Sequence, residues 1–213
     1  MVGPYRIFFR PRRKMFVIIP AKPFRHAKSR LTPILPAERR LHLSRGLLAQ
    51  TINLARRVGP VAVISRDNKV RQLAQRRGAW SLVENEPGLN PAVSQAVTWA
   101  MMQGADSVLI LPADLPLLRR EDLTGLVTAL PAAAQSAVIC PCQRGDGTNA
   151  LLLRPPALIE PAFGLDSFNR HLQQLQTAGV SPVIYQSDTL AFDLDLPADW
   201  EKLIHHVESI GSG

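Results

Sequence analysis

Short apolar runs recur along this chain, bounded by proline, glycine or charge and separated by stretches whose apolar positions return at helical spacing. MFVIIP, beginning at Met15, is followed by a basic loop, an amphipathic stretch over 36–58 and the run VAVIS. An alternation of strand-length apolar runs with helix-period segments predicts β-strand, helix, β-strand units. The rhythm continues with a helix over 68–77, a short strand WSLVE, a helix over 90–103 and the strand SVLILP. Asn90 before Pro91 predicts an N-cap followed by proline at the first helical position, and Gly104 closes that helix.

The second half is less regular. The pattern predicts a helix over 120–130, strands AVICP and NALLLR around a Gly-rich turn, and a helix opening at Asp166, read as its N-cap. A strand PVIYQ, a short strand LAFDL and a terminal helix from Pro197 follow. Nearly continuous apolar strands separated by helices indicate strands buried on both faces, hence an α/β three-layer sandwich on a mostly parallel, mixed sheet. A chain of 213 residues with 46% hydrophobic content supports one such domain with a proper core. No internal repeat, linker or low-complexity tract interrupts it.

No apolar run approaches the roughly 20 residues that span a bilayer, so no membrane association is expected. The basic start lacks the apolar core of a secretory signal, which makes the cytoplasm the expected location. The formal net charge of +8 invites a nucleic-acid reading, yet Arg6, Arg10, Arg12, Arg13 and Lys14 supply five of those charges without one acid, leaving +3 for the rest. Residues 1–14 therefore read as a basic N-terminal extension ahead of one domain over 15–208, with Met15 as an alternative start. No basic stripe interleaved with aromatics accompanies them, so nucleic acid is not an expected partner. Cys140 and Cys142 are too closely spaced for the usual metal-binding hairpin and read as a buried, reduced pair.

Four segments carry candidate chemistry. The loop AKPFRHAKSRL follows the first strand and crowds Lys22, Arg25, His26, Lys28 and Arg30 where open α/β sheets bind ligands. It is either an anion-binding loop or a solvated one. It has neither the glycines and Gly-Lys-Ser/Thr ending of a P-loop nor the GxGxxG of dinucleotide binding. Asp114 in LPADLPLL follows the strand SVLILP, and a carboxylate there suits Mg²⁺, though aspartate also caps such turns. Asp193 and Asp195 alternate in FDLDLPADW, which places both carboxylates on one face of a strand, either beside Asp114 at a metal or as a helix entry. The turn RGDGTN brings Asp146, Thr148 and Asn149 before an apolar strand, as an anion cradle or a plain hairpin. In FGLDSFNRH the helix start at Asp166 offers free backbone amides to a carboxylate or phosphate.

Together IPAKPFRHAKSRL, PGLNPAVSQAV, LPADLPLL, GDGTNALLLRP, FGLDSFNRH and DLDLPADW resemble, in order, the 2-phospho-L-lactate guanylyltransferase family, known as CofC or FbiD. The resemblance implies a nucleotidyltransferase of the GT-A-like fold. It implies transfer of GMP from GTP to phosphoenolpyruvate, 2-phospho-L-lactate or 3-phosphoglycerate, with release of pyrophosphate, in coenzyme F420 biosynthesis. It further implies that Pro20, Ala21 and Lys22 meet the nucleotide, Lys22 at its phosphates, and that Leu89 and Asn90 approach nucleotide and acceptor. Asp114 and Asp195 would hold Mg²⁺, with Asp193 a weaker candidate. Thr148, Asn149, Gly164 and Ser167 would line the acid's site, and Lys22, Lys28 and Arg30 would offset phosphate charge.

Where members of that family often read Asp-Thr-Pro-Glu-Asp-Leu, this chain reads Asp195, Leu196, Pro197, Ala198, Asp199, Trp200, which keeps the carboxylate and loses the threonine and glutamate. A relative with a sugar-phosphate or molybdopterin acceptor is the alternative enzyme, although AKPFRHAKSRL replaces the glycine-rich first loop such enzymes carry. A non-catalytic nucleotide-binding or RNA-associated protein is the alternative of another class. Which acid is used, and whether two copies pair as a homodimer, stay open on the sequence.

Overall fold

In the computed structural model, which describes residues 14–211, β1 (Met15–Pro20), α1 (Ala37–Ala55), β2 (Val61–Ser65) and α2 (Asn68–Arg76) lead to β3 (Trp80–Val83), α3 (Leu89–Met102) and β4 (Ser107–Ile110). Then come α4 (Arg120–Thr128), β5 (Ser136–Pro141), β6 (Thr148–Arg154), α5 (Ser167–Thr177), β7 (Val183–Ile184), the single turn α6 (Asp188–Ala191) and α7 (Pro197–Gly211). Residues 1–13 of the expected basic extension lie outside the described residues. Lys14 is tied to the body: its backbone N–H donates to Asp106 Oδ2 at 3.0 Å and its ammonium to the Gln103 carbonyl at 2.7 Å.

The strands form one sheet in the order β3-β2-β1-β4-β6-β5-β7. Every neighbouring pair is parallel except the two made by β6, which runs antiparallel to β4 and β5. Side-chain alternation sends Val17, Ile19, Leu109, Val138, Cys140 and Leu152 to a core beneath α1, α2 and α4. It sends Phe16, Ile18, Val108, Ile110, Ile139 and Leu151 to a second core beneath α3 and α5. Burial on both faces is why these strands read as unbroken apolar runs. A third, small cluster of Leu31, Leu35, Leu47 and Leu194, with Trp200 and Leu203 against it, joins the basic loop to α7.

Two features of this topology position the site. β1 lies between β2 and β4, so the chain reverses its direction of travel across the sheet there, and the loops leaving β1 and β4 part to leave a crevice. Because β6 runs opposite to β4, its first residue, Thr148, stands at the same edge of the sheet as the carboxyl ends of β1 and β4.

Local expectations needed correction at four places. Residues 190–194 are not a strand. Asp122 accepts hydrogen bonds from the Thr189 hydroxyl at 2.7 Å and from the Ser187 hydroxyl, and Ser187 Oγ accepts from Leu190 N–H at 3.2 Å. These side chains start the turn α6 instead of a ladder, and Asn149 Nδ2 takes the Leu190 and Ala191 carbonyls at 3.1 and 2.8 Å. Asn90 is not an N-cap: α3 begins one residue earlier, after Gly88, whose φ of 134° only glycine adopts readily. PVIYQ shrinks to Val183–Ile184 at the sheet edge. Asp166 holds the N-cap position of α5 but at φ 54°, and its carboxylate accepts from Asn169 Nδ2 at 2.7 Å rather than from a helix amide.

Asp122 also accepts the Arg119 backbone N–H at 2.7 Å, so one carboxylate starts α4 and anchors α6. Asp122→Ala is expected to lower stability by about 2–4 kcal/mol, through a lost helix start and orphaned hydroxyl groups, measured by urea denaturation. A loss under about 0.5 kcal/mol would mean that this carboxylate organises neither helix.

Candidate active site

The basic loop is built from a buried side and a charged side. Phe24 and Leu31 are buried, and Phe24 N–H donates to Asp67 Oδ2 at 3.0 Å while Asp67 Oδ1 caps α2 through Lys69 N–H at 2.9 Å. Lys28 sits in the left-handed region at φ 55°, which costs a non-glycine residue roughly 1–2 kcal/mol. That bend turns its side chain inward. The ammonium donates to Asp114 Oδ2 at 3.0 Å and to the Leu194 carbonyl, and only 6% of the side chain is exposed. Asp114 O accepts Leu194 N–H at 3.1 Å, so the loops after β1 and β4 and the segment before α7 meet at one ammonium.

Leu194 is fully buried in the third cluster, and the carboxylates on either side of it each meet an arginine. Asp195 pairs with Arg30 at 2.7 Å and Asp193 with Arg144 at 2.7 Å. The alternation expected of a strand is thus produced by one buried leucine in an irregular segment. Asp199 supplies the local scaffold: its Oδ2 accepts the N–H of Asp195 at 3.0 Å and of Leu196 at 2.7 Å, while Gln143 Nε2 donates to Oδ1 at 3.1 Å.

Across the crevice lies the turn before β6. Cys142 Sγ accepts Gly147 N–H at 3.2 Å and donates to Asp146 Oδ1 at 3.3 Å, and Asp146 O accepts Phe168 N–H at 3.0 Å, joining the turn to α5. Both cysteines are free and buried, and burial, with Asp122 and Cys142 nearby, pushes the Cys140 thiol up to about 12. It stays a packed, protonated thiol. Thr148 Oγ1 lies 3.0 Å from Nδ1 of His171, a side chain with no exposed surface whose Nε2 accepts Ala162 N–H at 3.0 Å. Gly164 has φ 113°, which suits glycine alone. The Ser167 hydroxyl makes no hydrogen bond among the described residues, but its N–H is taken by Gly164 O at 3.1 Å. With Phe168 N–H bonded to Asp146, α5 therefore offers fewer free amides than its sequence promises.

The expected residues fall into two neighbouring groups. Lys28, Arg30, Asp114, Asp193 and Asp195 form an ion-pair cluster, and Thr148, Gly164 and Ser167 surround the turn and the start of α5. Lys22 is exposed between them and the β1 terminus, with no ion pair among the described residues. Pro20 ends β1, and Ala21 N–H continues its pairing on Ile64 O at 3.0 Å. Leu89 is exposed, whereas the Asn90 amide is occupied: Oδ1 accepts Phe163 N–H at 2.8 Å and Nδ2 donates to Phe163 O at 3.1 Å. Asn149 is likewise turned to α6. Both amides hold backbone next to the site. A surface groove lined by Arg56, Gly59, Pro60, Gly78 and Trp80 lies at the opposite, amino end of the strands.

A divalent cation fits this donor set. Asp114, Asp193, Asp195 and the Leu194 carbonyl present only oxygen, as Mg²⁺ prefers. Asp193 Oδ1 is buried without a hydrogen-bond partner. Burial pushes the Asp193 carboxyl up, Arg144 opposes this, and the nearby Asp114 charge adds to it. A buried carboxylate oxygen without a partner, beside a second carboxylate, invites a cation. No three His, Cys, Asp or Glu side chains form a ready-made metal cluster among the described residues; cationic side chains neutralise the acids instead.

Sequence reasoning missed Arg144, Asp199 and His171. Arg144 was readable only as a cation in a Gly-rich turn, and Asp199 as one more acid near a helix start. His171 closes the segment FGLDSFNRH, with no local signal of its burial.

The family described as "Guanylyl transferase CofC like" matches residues 15–212. The chain belongs to this family. It is 39% identical over 192 residues to the phosphoenolpyruvate guanylyltransferase of Sphaerobacter thermophilus, covering 89% of this chain and 92% of that one. It is 37% identical over 197 residues to the 2-phospho-L-lactate guanylyltransferase of Methanothermobacter thermautotrophicus, covering 92% and 86%. Among solved structures, a Methanothermobacter nucleotidyl transferase matches with a TM-score of 0.62 at 13% identity, over 91% of this chain and 97% of that one. Glucosyl-3-phosphoglycerate synthase of Mycobacterium tuberculosis, in complex with Mn²⁺ and UDP, matches with a TM-score of 0.59 at 12% identity, over 89% and 75%. At such identities these structures speak for the nucleotidyltransferase, GT-A-like fold. No helix among the described residues is long and apolar enough to cross a membrane.

Within this member of the CofC-like family, His171 carries a pH signature. Burial, with Arg170 nearby, pushes its imidazole down to about 4 from an ordinary 6.5. The unfolded chain therefore takes up a proton below about pH 6.5 that the folded chain refuses until about pH 4, and stability from this group is lost as pH falls through that window. The loss is on the order of 3 kcal/mol. Urea denaturation of His171→Gln should show a shallower decline than the parent between pH 6.5 and pH 4; parallel curves would mean that the imidazole is not held neutral.

Proposed function

We propose that this protein transfers GMP from GTP to a phosphorylated three-carbon acid, phosphoenolpyruvate, 2-phospho-L-lactate or 3-phosphoglycerate, releasing pyrophosphate, as a step of coenzyme F420 biosynthesis. The observation that carries the reading is the cluster of Lys28, Arg30, Asp114 and Asp195 at the point where the sheet changes direction, with Thr148 at the same edge of the sheet and Ser167 opening α5. Family membership supports the reaction, and the named relatives support the substrate class.

The acceptor phosphate is an anion at neutral pH, so no general base is needed. One of its oxygens attacks the α-phosphorus of GTP, a new P–O bond forms, and the bond to the β-phosphate oxygen breaks, with that electron pair leaving on pyrophosphate. Two polyanions must approach, and unit charges at about 4 Å repel by about 4 kcal/mol at intermediate dielectric. Positioning and charge neutralisation therefore carry the catalysis.

Asp114 and Asp195, with Asp193 beside them, would hold Mg²⁺, which when bound supplies a concentrated positive charge against phosphate oxygens. Lys22, exposed after the end of β1 and without an ion pair among the described residues, reaches the nucleotide phosphates. Lys28 and Arg30 stand where they can meet phosphate as well as carboxylate. Pro20, Ala21 and Leu89 border the nucleotide, and Thr148, Gly164 and Ser167 receive the acid, with Asn90 and Asn149 holding the surrounding backbone. The working domain is 15–208, preceded by the basic extension 1–14.

Pyrophosphate release with Mg²⁺ and each of four nucleoside triphosphates, crossed with the three acids, tests the reading. Release with GTP and one of these acids is the expected result, and silence across the matrix from folded protein would overturn it. Asp114→Asn is expected to lower turnover at least a hundredfold with the fold intact, and Lys22→Ala roughly ten- to a hundredfold, both followed by pyrophosphate release. A native rate in either variant would remove that residue from the mechanism.

A further inference from the structure

Thr148 and His171 form a buried pair whose proton arrangement can be worked out from its neighbours. The Ala162 backbone N–H points at His171 Nε2 from 3.0 Å and has only a proton to offer, so Nε2 must be the bare, accepting nitrogen. The imidazole is enclosed, with Phe163 packed against it at 4.8 Å between ring centroids, and burial with Arg170 nearby keeps it neutral. A neutral ring with a bare Nε2 carries its proton on Nδ1. That proton lies between Nδ1 and Thr148 Oγ1, 3.0 Å apart, so the imidazole donates and the threonine oxygen accepts.

We propose that His171 is a positioning residue that fixes the polarity of Thr148: it fills a lone pair of the hydroxyl and leaves the hydroxyl proton directed into the crevice, as a donor to an anionic oxygen of the acceptor acid. Without the imidazole the threonine hydroxyl could turn its lone pairs toward the acid and repel it. The same ring holds Ala162, while Asn90 clamps both backbone groups of Phe163, so the segment leading to Gly164 is fixed at two successive residues. His171 never touches the substrate. It acts through Thr148 and through the loop, on the side of the crevice away from the ion pairs.

This inference rests on the reading that Thr148 lines the acid's site, and the two can fail separately. In wild-type protein at neutral pH, ¹⁵N-resolved imidazole spectra should assign His171 as the neutral Nδ1–H form. An Nε2–H or doubly protonated ring would overturn the proposal whatever the kinetics show. Thr148→Val should raise KM for the acid about 10- to 100-fold with KM for GTP within about twofold of the parent. If the acid KM does not move in this variant, the placement of the acid at Thr148 fails, and the proposal with it.

His171→Gln can keep an acceptor for Ala162 N–H but loses the donor to Thr148, and it should reproduce the Thr148→Val effect on the acid KM. His171→Asn, whose amide nitrogen stands near the position of Nδ1, should recover part of it. The double variant Thr148→Val/His171→Gln should be no worse than either single one, because both remove one hydrogen-bonded unit. Multiplying effects, or equal rises in KM for GTP and acid, would reduce His171 to packing and overturn the proposal.

Discussion

One ammonium group holds the candidate site together. Lys28 is almost fully withdrawn from water, and leaving such a charge without partners would cost about 3–5 kcal/mol. Its partners come from two other parts of the chain: the Asp114 carboxylate after β4 and the Leu194 carbonyl before α7. The third core cluster makes this meeting compulsory. Leu31 in the basic loop and Leu194 before α7 are buried against each other's neighbours, so the polar groups beside them are carried to the same place. The left-handed backbone at Lys28 is the local cost of aiming the side chain back across that cluster.

Legibility followed burial. β1, β2, β4, β5 and β6 announced themselves because both faces are covered and their central positions are apolar, and α1 to α4 because they separate those strands. The failures fall where polar side chains, not the ladder, satisfy the backbone. Residues 190–194 carry a strand-like pattern, but Asn149, far away in sequence, takes the Leu190 and Ala191 carbonyls, and Ser187, held by Asp122, takes the Leu190 N–H. At the site, the residue types were visible and the partnerships were not. Lys28, Arg30, Asp114 and Asp195 all drew notice, yet nothing local says that Lys28 chooses Asp114 and Arg30 chooses Asp195. Arg144 and His171 were given no role because each acquires it from a residue 49 and 9 positions away, and Asp199 because a helix-start aspartate does not show which amides it caps.

The two sides of the crevice are built from different interactions, and the difference suits their tasks. The side formed by β1, β4 and the segment before α7 is held by charge, with Lys28 buried on Asp114 and the Arg30–Asp195 pair open to water. Such pairs are worth little individually where solvent reaches them, so Arg30 in particular can change partners at small cost. On the proposed function, cations that are already gathered and only loosely committed suit the arrival of several phosphate charges.

The opposite side, from the turn before β6 to α5, is held, apart from the Arg144–Asp193 pair, by neutral hydrogen bonds between buried and half-buried groups: Thr148 with His171, His171 with Ala162, Asn90 with Phe163, and Cys142 with Gly147. A buried neutral network gains strength from its low dielectric and loses heavily if one member is left unpaired, so it does not rearrange readily. That rigidity is what discrimination among acids of similar size demands, because a pocket separates them only by hydrogen bonds that cannot bend to fit the wrong one. The reversed strand β6 makes this division possible. Its antiparallel course returns Thr148 to the edge where β1 and β4 deliver their charges, and a sheet of strands running all one way would have left that residue at the far end.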